Sequence, residues 1–228
     1  MAIANGFKGT PYARMVLYLM MTNLPTPAAA TNIIGIVLAG GRSSRMGIDK
    51  ATLRIEGETL LLRMKRVLSA AGCTQVMLSG HGRDDWHENA IPDQLSNTGP
   101  VGGIISALSW AEKHCAPNTP IVFVPIDAPL LSVDLIVSMH RFEAAGNGCF
   151  ISGSPLPLLL RTTDAVLQQS AKACADLQTK ESSWSVRRFI EPLMLSTIDV
   201  NDRIKPQLTN VNTPTQWECL LRELENRS

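Results

Sequence analysis

The chain is short of the features that mark several large classes of protein. Aromatic residues make up only 5% of its 228 residues, and 21 lysines and arginines are balanced by 20 aspartates and glutamates, for a formal charge of +1. With no clustered basic excess there is little to generate affinity for a phosphate backbone, which argues against a dedicated nucleic-acid binder. The five cysteines, Cys73, Cys115, Cys149, Cys174 and Cys219, are odd in number, widely spaced and never form a CxxC pair. Neither a disulfide framework nor a zinc finger therefore has a template, and the expected role is that of small buried hydrophobes in a reducing compartment. His81, His87, His114 and His140 show neither HxH nor HExxH spacing, so a histidine-built metal site has no template either, and surface or loop positions are expected for them. Both familiar nucleotide fingerprints, GxxxxGK[ST] and GxGxxG, are also missing.

What is present begins with length: 228 residues suffice for one large α/β domain or two small ones, with a core that needs no disulfide or metal staple. Residues 1–32 stand apart, with Lys8 and Arg14 but no acidic residue, a short apolar run at 15–21 and a proline/alanine stretch at 24–30. The run is far shorter than the roughly 20 residues needed to cross a bilayer, so no membrane span is expected. The segment is read as a disordered leader, with Met20 or Met21 as a working start. An export signal is disfavoured because the rest of the chain, residues 33–228, points to cytoplasmic nucleotide chemistry.

From residue 33 onward, short apolar runs alternate with amphipathic stretches. Strands are expected at 33–38, Gln75–Ser79, 120–126, 149–152 and 156–160, and helices at 58–71, 101–115, 163–177 and after Ser132 and Thr213. The face of the first helix would carry Leu60, Met64, Val67, Leu68 and Ala71, and that of the 163–177 helix Leu167, Ala171 and Cys174. Thr213 with Gln216 forms a capping box, Pro214 takes the first helical position, and Trp217, Leu220, Leu221 and Leu224 would form the buried face. Strands alternating with helices imply a mostly parallel sheet with helices on both faces, whose ligand lies beyond the carboxyl ends of the strands.

Two such ends carry chemistry. Leu38-Ala39-Gly40-Gly41-Arg42-Ser43-Ser44-Arg45-Met46-Gly47-Ile48-Asp49-Lys50 is a glycine-rich turn backed by cations. Glycines let backbone N–H groups approach phosphate oxygens, and the side chains of Arg42, Arg45 and Lys50 neutralise them. A tight strand-to-helix turn would explain the glycines alone, but not the three cations. Val124-Pro125-Ile126-Asp127-Ala128-Pro129 places a carboxylate at the end of a buried strand, where a hard cation such as Mg²⁺ can take it; the plainer alternative is a turn or cap aspartate.

These motifs, together with Gly99-Pro100-Val101-Gly102-Gly103 and Asn210-Val211-Asn212-Thr213-Pro214, resemble the molybdenum cofactor guanylyltransferase family over nearly all of residues 33–228. The resemblance implies a Rossmann-like nucleotidyltransferase fold. It also implies a reaction that joins GMP from GTP to the terminal phosphate of molybdenum-molybdopterin, with release of diphosphate and assistance from Mg²⁺. Lys50 and Arg45 are then the candidates for stabilising the transferring phosphate, Asp127 for holding the metal, and Leu38, Ala39, Gly40, Gly41, Lys50, Ser79, Asp93 and Asp127 for contacting the nucleotide. Without the family, Pro92-Asp93 would read as a turn pair. Residues 99–103 open a helix whose N–H groups would face guanine or phosphate, or whose glycines simply pack on the sheet.

Ser79 stands where some relatives carry asparagine, and a hydroxyl lacks the paired geometry of an amide. A segment that often contains histidine in the family reads Pro155-Leu156-Pro157 here, near the expected molybdopterin end. Residues 184–190, with Arg187 and Arg188, resemble an Arg-Arg-Phe region that either meets the pterin phosphate or forms a solvated helix face. The resemblance further implies partners that supply molybdopterin or mature molybdoenzymes. The alternatives are a cytidylyltransferase or sugar-phosphate nucleotidyltransferase of the same fold, or a non-catalytic nucleotide- or cofactor-binding module. Cytidylyl relatives usually carry LAAG where this chain has Leu38-Ala39-Gly40-Gly41.

Overall fold

Five consecutive residues without a charged side chain, Ile34–Leu38, form β1, and every one of them is buried. The computed structural model describes residues 32–39, 49–80, 86, 89–142, 146–180 and 183–226. Beyond β1 the strands are β2 (Arg54–Ile55), β3 (Glu58–Thr59), β4 (Gln75–Ser79), β5 (Ala90–Ile91), β6 (Pro120–Pro125), β7 (Gly148–Ile151), β8 (Ser154–Arg161) and β9 (Ser196–Ile198). The helices are α1 (Leu60–Ala70), α2 (Pro100–His114), α3 (Val133–Phe142), α4 (Asp164–Thr179), α5 (Val186–Ile190) and α6 (Pro214–Glu225).

Seven strands make one sheet in the order β5-β4-β1-β6-β8-β7-β9, while β2 and β3 form a separate small antiparallel pair. Neighbouring strands β5, β4, β1 and β6 run parallel, and β8 is antiparallel to both β6 and β7. The expected mostly parallel sheet is therefore present, with one reversed strand. The chain leaves β1 toward β4 on one side and later returns to β6 on the other, so the order reverses at β1, the kind of position where open α/β sheets bind ligands.

Side chains alternate across the sheet because successive residues of a strand point to opposite faces. Val37, Leu78, Val122, Val124 and Leu159 share a core with buried residues of α1, α3 and α6. Ile36, Leu38, Met77, Phe123 and Leu158 share the other core with α2, α4 and α5. Both layers are thus anchored by the same strands. Full burial of such side chains is worth roughly 1.5–3 kcal/mol each, which makes this double burial the main source of cohesion.

Local chemistry moves some boundaries. The first helix starts at Leu60 rather than Glu58, because Glu56 and Gly57 turn the chain with positive φ and the Thr59 hydroxyl accepts from the Leu62 N–H at 3.2 Å. Glu58 joins a short strand instead. On α4 the deepest residues are Val166, Ser170 and Ala173; Leu167 and Cys174 are half-buried and Ala171 is exposed, a shift of the packed face by about one position. The capping box at Thr213 and Gln216 forms as expected, although only Leu220 of α6 is fully buried, with Trp217, Leu221 and Leu224 packing partly against the core.

The cysteines also depart from the uniform expectation. Cys73 and Cys149 are buried, Cys115 and Cys174 half-buried, and Cys219 exposed on the outer side of α6. All five are free thiols, and burial pushes the Cys73 thiol up to about 12, which keeps it protonated and inert. His114 is exposed and stacks on Trp110, as a surface residue would. His140 does not fit that picture: it is half-buried on α3, and its Nε2 is enclosed without a hydrogen-bond partner. His81, His87 and the segment 1–31 lie outside the described residues.

Burial holds the His140 imidazole below its ordinary range, partly opposed by a hydrogen bond with the Ala71 backbone. A neutral form favoured by folding contributes stability above the unfolded value of about 6.5, and that contribution is lost as pH falls through it. Urea denaturation between pH 7.5 and pH 5 is expected to show a steeper loss of stability for the native chain than for His140→Gln. Equal slopes for the two would remove His140 as the cause.

Candidate active site

The sheet register aligns the predicted residues before any side chain is considered. Leu38 pairs with Ser79 on one side and Pro125 on the other, and Ser79 pairs with Ile91. Four strand ends therefore lie in one row. Two residues beyond the outer members of that row come Asp93, after Ile91, and Asp127, after Pro125.

Asp127 is held where it is by the backbone on both sides. The Ile126 N–H donates to the Leu38 carbonyl at 3.3 Å, and the Val211 N–H donates to the Asp127 carbonyl at 2.8 Å. Lys50 opens a short 3₁₀ turn, Lys50–Thr52, that is capped by Asp49, whose carboxylate accepts from the Ala51 N–H at 3.1 Å. From that turn, Lys50 Nζ donates to Asp127 Oδ2 at 3.2 Å and to Asn212 Oδ1 at 2.6 Å. The Lys50 and Asp127 side chains are 15% and 21% exposed, so the pair is shielded yet open on one side.

Asn212 was not singled out by residue type. The Asn-x-Asn-Thr-Pro motif contained it, but the visible signal was the helix cap that follows, and the side chain's role emerges only from its position against Lys50. The asparagine oxygen, rather than its nitrogen, must face Lys50, because an ammonium group can only donate.

A second cluster sits beside the first. Ser79, 1% exposed at the end of β4, donates from its hydroxyl to Asp93 Oδ1 at 3.1 Å. The serine thus supports the aspartate directly. The segment after Asp93 is fastened by Ser106, a buried mid-helix serine that sequence reading passed over: the Gln94 N–H donates to Ser106 Oγ at 2.9 Å, and the Ser106 hydroxyl donates to the Gly102 carbonyl at 2.9 Å.

Within residues 99–103, Gly102 and Gly103 are used for close packing. A Cβ on Gly103 would overlap Ser79 Oγ and press on Leu38 Cδ2, while one on Gly102 would overlap Thr98 Oγ1. The Gly102 N–H is also used, donating to the Gly99 carbonyl at 3.2 Å. Gly103 thus lets α2 close against the sheet at Leu38 and Ser79, and Gly102 leaves room for Thr98.

At the far side, Arg187 and Arg188 are both exposed on α5, while Phe189 is buried. Arg187 Nη2 donates to the Gly153 carbonyl in the turn between β7 and β8 at 2.5 Å, and Arg188 donates to the Ser183 carbonyl at 2.7 Å with its guanidinium over the Trp184 ring. Both guanidiniums brace backbone and retain other donors toward solvent. Leu38 is buried and Ala39 half-buried at the end of β1. Gly40, Gly41 and Arg45 lie outside the described residues.

Comparisons with known proteins point to one family. The model of the MobA-like NTP transferase domain matches residues 35–192. The chain is 36% identical over 194 residues to a molybdenum cofactor guanylyltransferase of Xanthomonas euvesicatoria pv. vesicatoria, covering 83% of this chain and 94% of that protein. It is 31% identical to a probable molybdenum cofactor guanylyltransferase of Opitutus terrae, covering 73% of this chain and 82% of that one. Among solved structures, molybdopterin-guanine dinucleotide biosynthesis protein A from Archaeoglobus fulgidus shares the fold with a TM-score of 0.65, at 17% identity, over 85% of this chain and 99% of that one.

The tight approach of α2 to Ser79 gives a direct check. Gly103→Ala is expected to destabilise the protein by about 1–3 kcal/mol through overpacking, measured by chemical denaturation. Its Cβ must displace Ser79 Oγ from Asp93, so a neutral effect on stability would contradict the packing described.

Proposed function

The chain belongs to the MobA-like NTP transferase family, and from that premise we propose that it transfers GMP from GTP to the terminal phosphate of molybdenum-molybdopterin, releasing diphosphate. The observation that carries this reading is the convergence of Lys50, Asp127 and Asn212 by hydrogen bonds at the strand ends, beside the Ser79–Asp93 pair. The catalytic domain is assigned to residues 33–228, and the reaction to the cytoplasm. Among the described residues no helix is long and apolar enough to cross a membrane.

In the reaction an oxygen of the acceptor phosphate forms a bond to the α-phosphorus of GTP as the bond from that phosphorus to the diphosphate oxygen breaks. Negative charge gathers on the nonbridging oxygens and on the leaving diphosphate, so the protein's task is positioning and electrostatic stabilisation. Lys50 carries three N–H donors. Two are directed to Asp127 and Asn212, which leaves the third for an α-phosphate oxygen and fixes the ammonium in place before substrate arrives. Arg45 is assigned to neutralising the same phosphates from the glycine-rich turn, with Leu38, Ala39, Gly40 and Gly41 receiving the nucleotide. Ser79 occupies one oxygen of Asp93, and the carboxylate's other lone pairs suit the adjacent N–H donors on the edge of guanine.

Asp127 has the chemistry to hold Mg²⁺. Oδ2 meets Lys50, which leaves Oδ1 as a hard oxygen donor. Among the described residues there is no group of three or more metal-ligating side chains. Mg²⁺ takes one or two carboxylates and completes its octahedron with phosphate oxygens and waters. When bound there, it supplies neutralisation of the triphosphate charge. Proteins that deliver molybdopterin or receive the dinucleotide form are the partners this reaction would require.

Incubation of the purified protein with Mg²⁺, molybdenum-loaded molybdopterin and GTP is expected to yield diphosphate and a guanylylated pterin in equal amounts. Preference for CTP would move the protein to a cytidylyl branch, and GTP binding without transfer would favour a binding module. Lys50→Met is expected to lower kcat by roughly 10²–10³-fold, the scale for losing one oriented donor to a developing anion. Asp127→Asn is expected to raise the Mg²⁺ concentration needed for half-maximal rate; an unchanged Mg²⁺ dependence would remove Asp127 from the metal site.

A further inference from the structure

We propose that Gln216, an exposed side chain on the first turn of α6, is a positioning residue that sets the orientation of Asn212 and, through it, of Lys50. The inference rests on the guanylyltransfer reading above. Gln216 Oε1 accepts from the Thr213 N–H at 3.1 Å and from the Asn212 N–H at 2.7 Å. Two backbone donors converging on one terminal atom identify that atom as the oxygen.

A capping box needs only the first of these bonds. Its reciprocal pair joins the cap residue and the third helical residue, and that pair is complete here with the Gln216 N–H donating to Thr213 Oγ1 at 3.2 Å. The additional and shorter bond reaches back to Asn212, which lies outside the box. On the other side of Asn212, the Val211 N–H is fastened to the Asp127 carbonyl. The backbone of Asn212 is therefore held from both directions, by the metal-site strand end and by α6. Its side-chain oxygen meets Lys50 Nζ at 2.6 Å. Two hydrogen bonds, joined through the covalent frame of Asn212, thus link a solvent-exposed glutamine to the ammonium group.

The test separates orientation from helix capping with three variants. Gln216→Ala removes both acceptor bonds, Gln216→Glu retains an oxygen at the same reach, and Thr213→Ala removes the capping hydroxyl but leaves Gln216 free to hold Asn212. Gln216→Ala is expected to lower kcat for GMP transfer by roughly 10- to 100-fold, the scale of a small misplacement of a reacting group, with KM for GTP within about twofold. Gln216→Glu is expected to restore kcat to within about threefold, and Thr213→Ala to lower the unfolding midpoint while keeping kcat. Native kcat in Gln216→Ala, or equal losses of kcat in Gln216→Ala and Thr213→Ala, would overturn the proposal.

A second readout does not depend on turnover. The ¹H–¹⁵N signal of the Lys50 ammonium, assigned by its loss in Lys50→Arg, is expected to be visible in the native chain and in Thr213→Ala and to broaden away in Gln216→Ala. Its persistence in Gln216→Ala would sink the positioning role even if the native protein proved to use another acceptor or nucleotide.

Discussion

An ammonium group has three donors and no acceptor, and Lys50 commits two of them to partners 77 and 162 residues further along the chain. That requirement brings three distant segments to one point. A lysine whose side chain is only 15% exposed has lost much of its hydration, so its charge has to be met by a carboxylate and a carbonyl oxygen in defined places. The turn at Lys50–Thr52, the end of β6 and the loop before α6 are the structures that put those groups in place.

The sheet makes this arrangement possible by fixing register. Because Leu38 is paired at once to Ser79 and Pro125, side chains two residues beyond the strand ends emerge on the same edge without any long-range adjustment. Slippage by one residue would turn Ile36 and Leu38 into the wrong core and carry the site residues with them. The two apolar layers therefore hold the site's geometry indirectly, by making every other register expensive. Near the other end of the row, Gly103 at the start of α2 allows a close approach that a methyl group would block, and the Ser79–Asp93 bond forms under that cover.

Serine at position 79 illustrates how a change of residue type is absorbed. It lacks the two-headed geometry of an amide, but its hydroxyl donates to the neighbouring Asp93 carboxylate and orients it. The Arg187–Arg188 segment forms the solvated helix face that is one of its two alternatives, and adds a structural brace to it. Its guanidiniums brace the β7–β8 turn and the Trp184 ring while the helix buries Val186 and Phe189 beneath them. A solvated face and a structural brace coexist on one turn of helix because opposite sides of a helix meet different surroundings.

Much of this organisation was legible from local chemistry. Continuous apolar runs marked β1 and β6, and a serine or threonine marked the starts of α3, α4 and α6. These features depend on residues within a few positions of one another, so the chain alone determined them, together with the family to which the motifs point. Partners across the fold were another matter. The burial of His140, the exposure of Cys219 and the displaced face of α4 depend on which element packs opposite, and spacing along one helix does not contain that information. The same holds for Asn212 and Gln216, which read as a motif residue and a helix cap. Only the tertiary structure, by folding residues 162 positions apart into hydrogen-bonding distance, decided that Asn212 meets Lys50 and that Gln216, behind it, holds the Asn212 backbone.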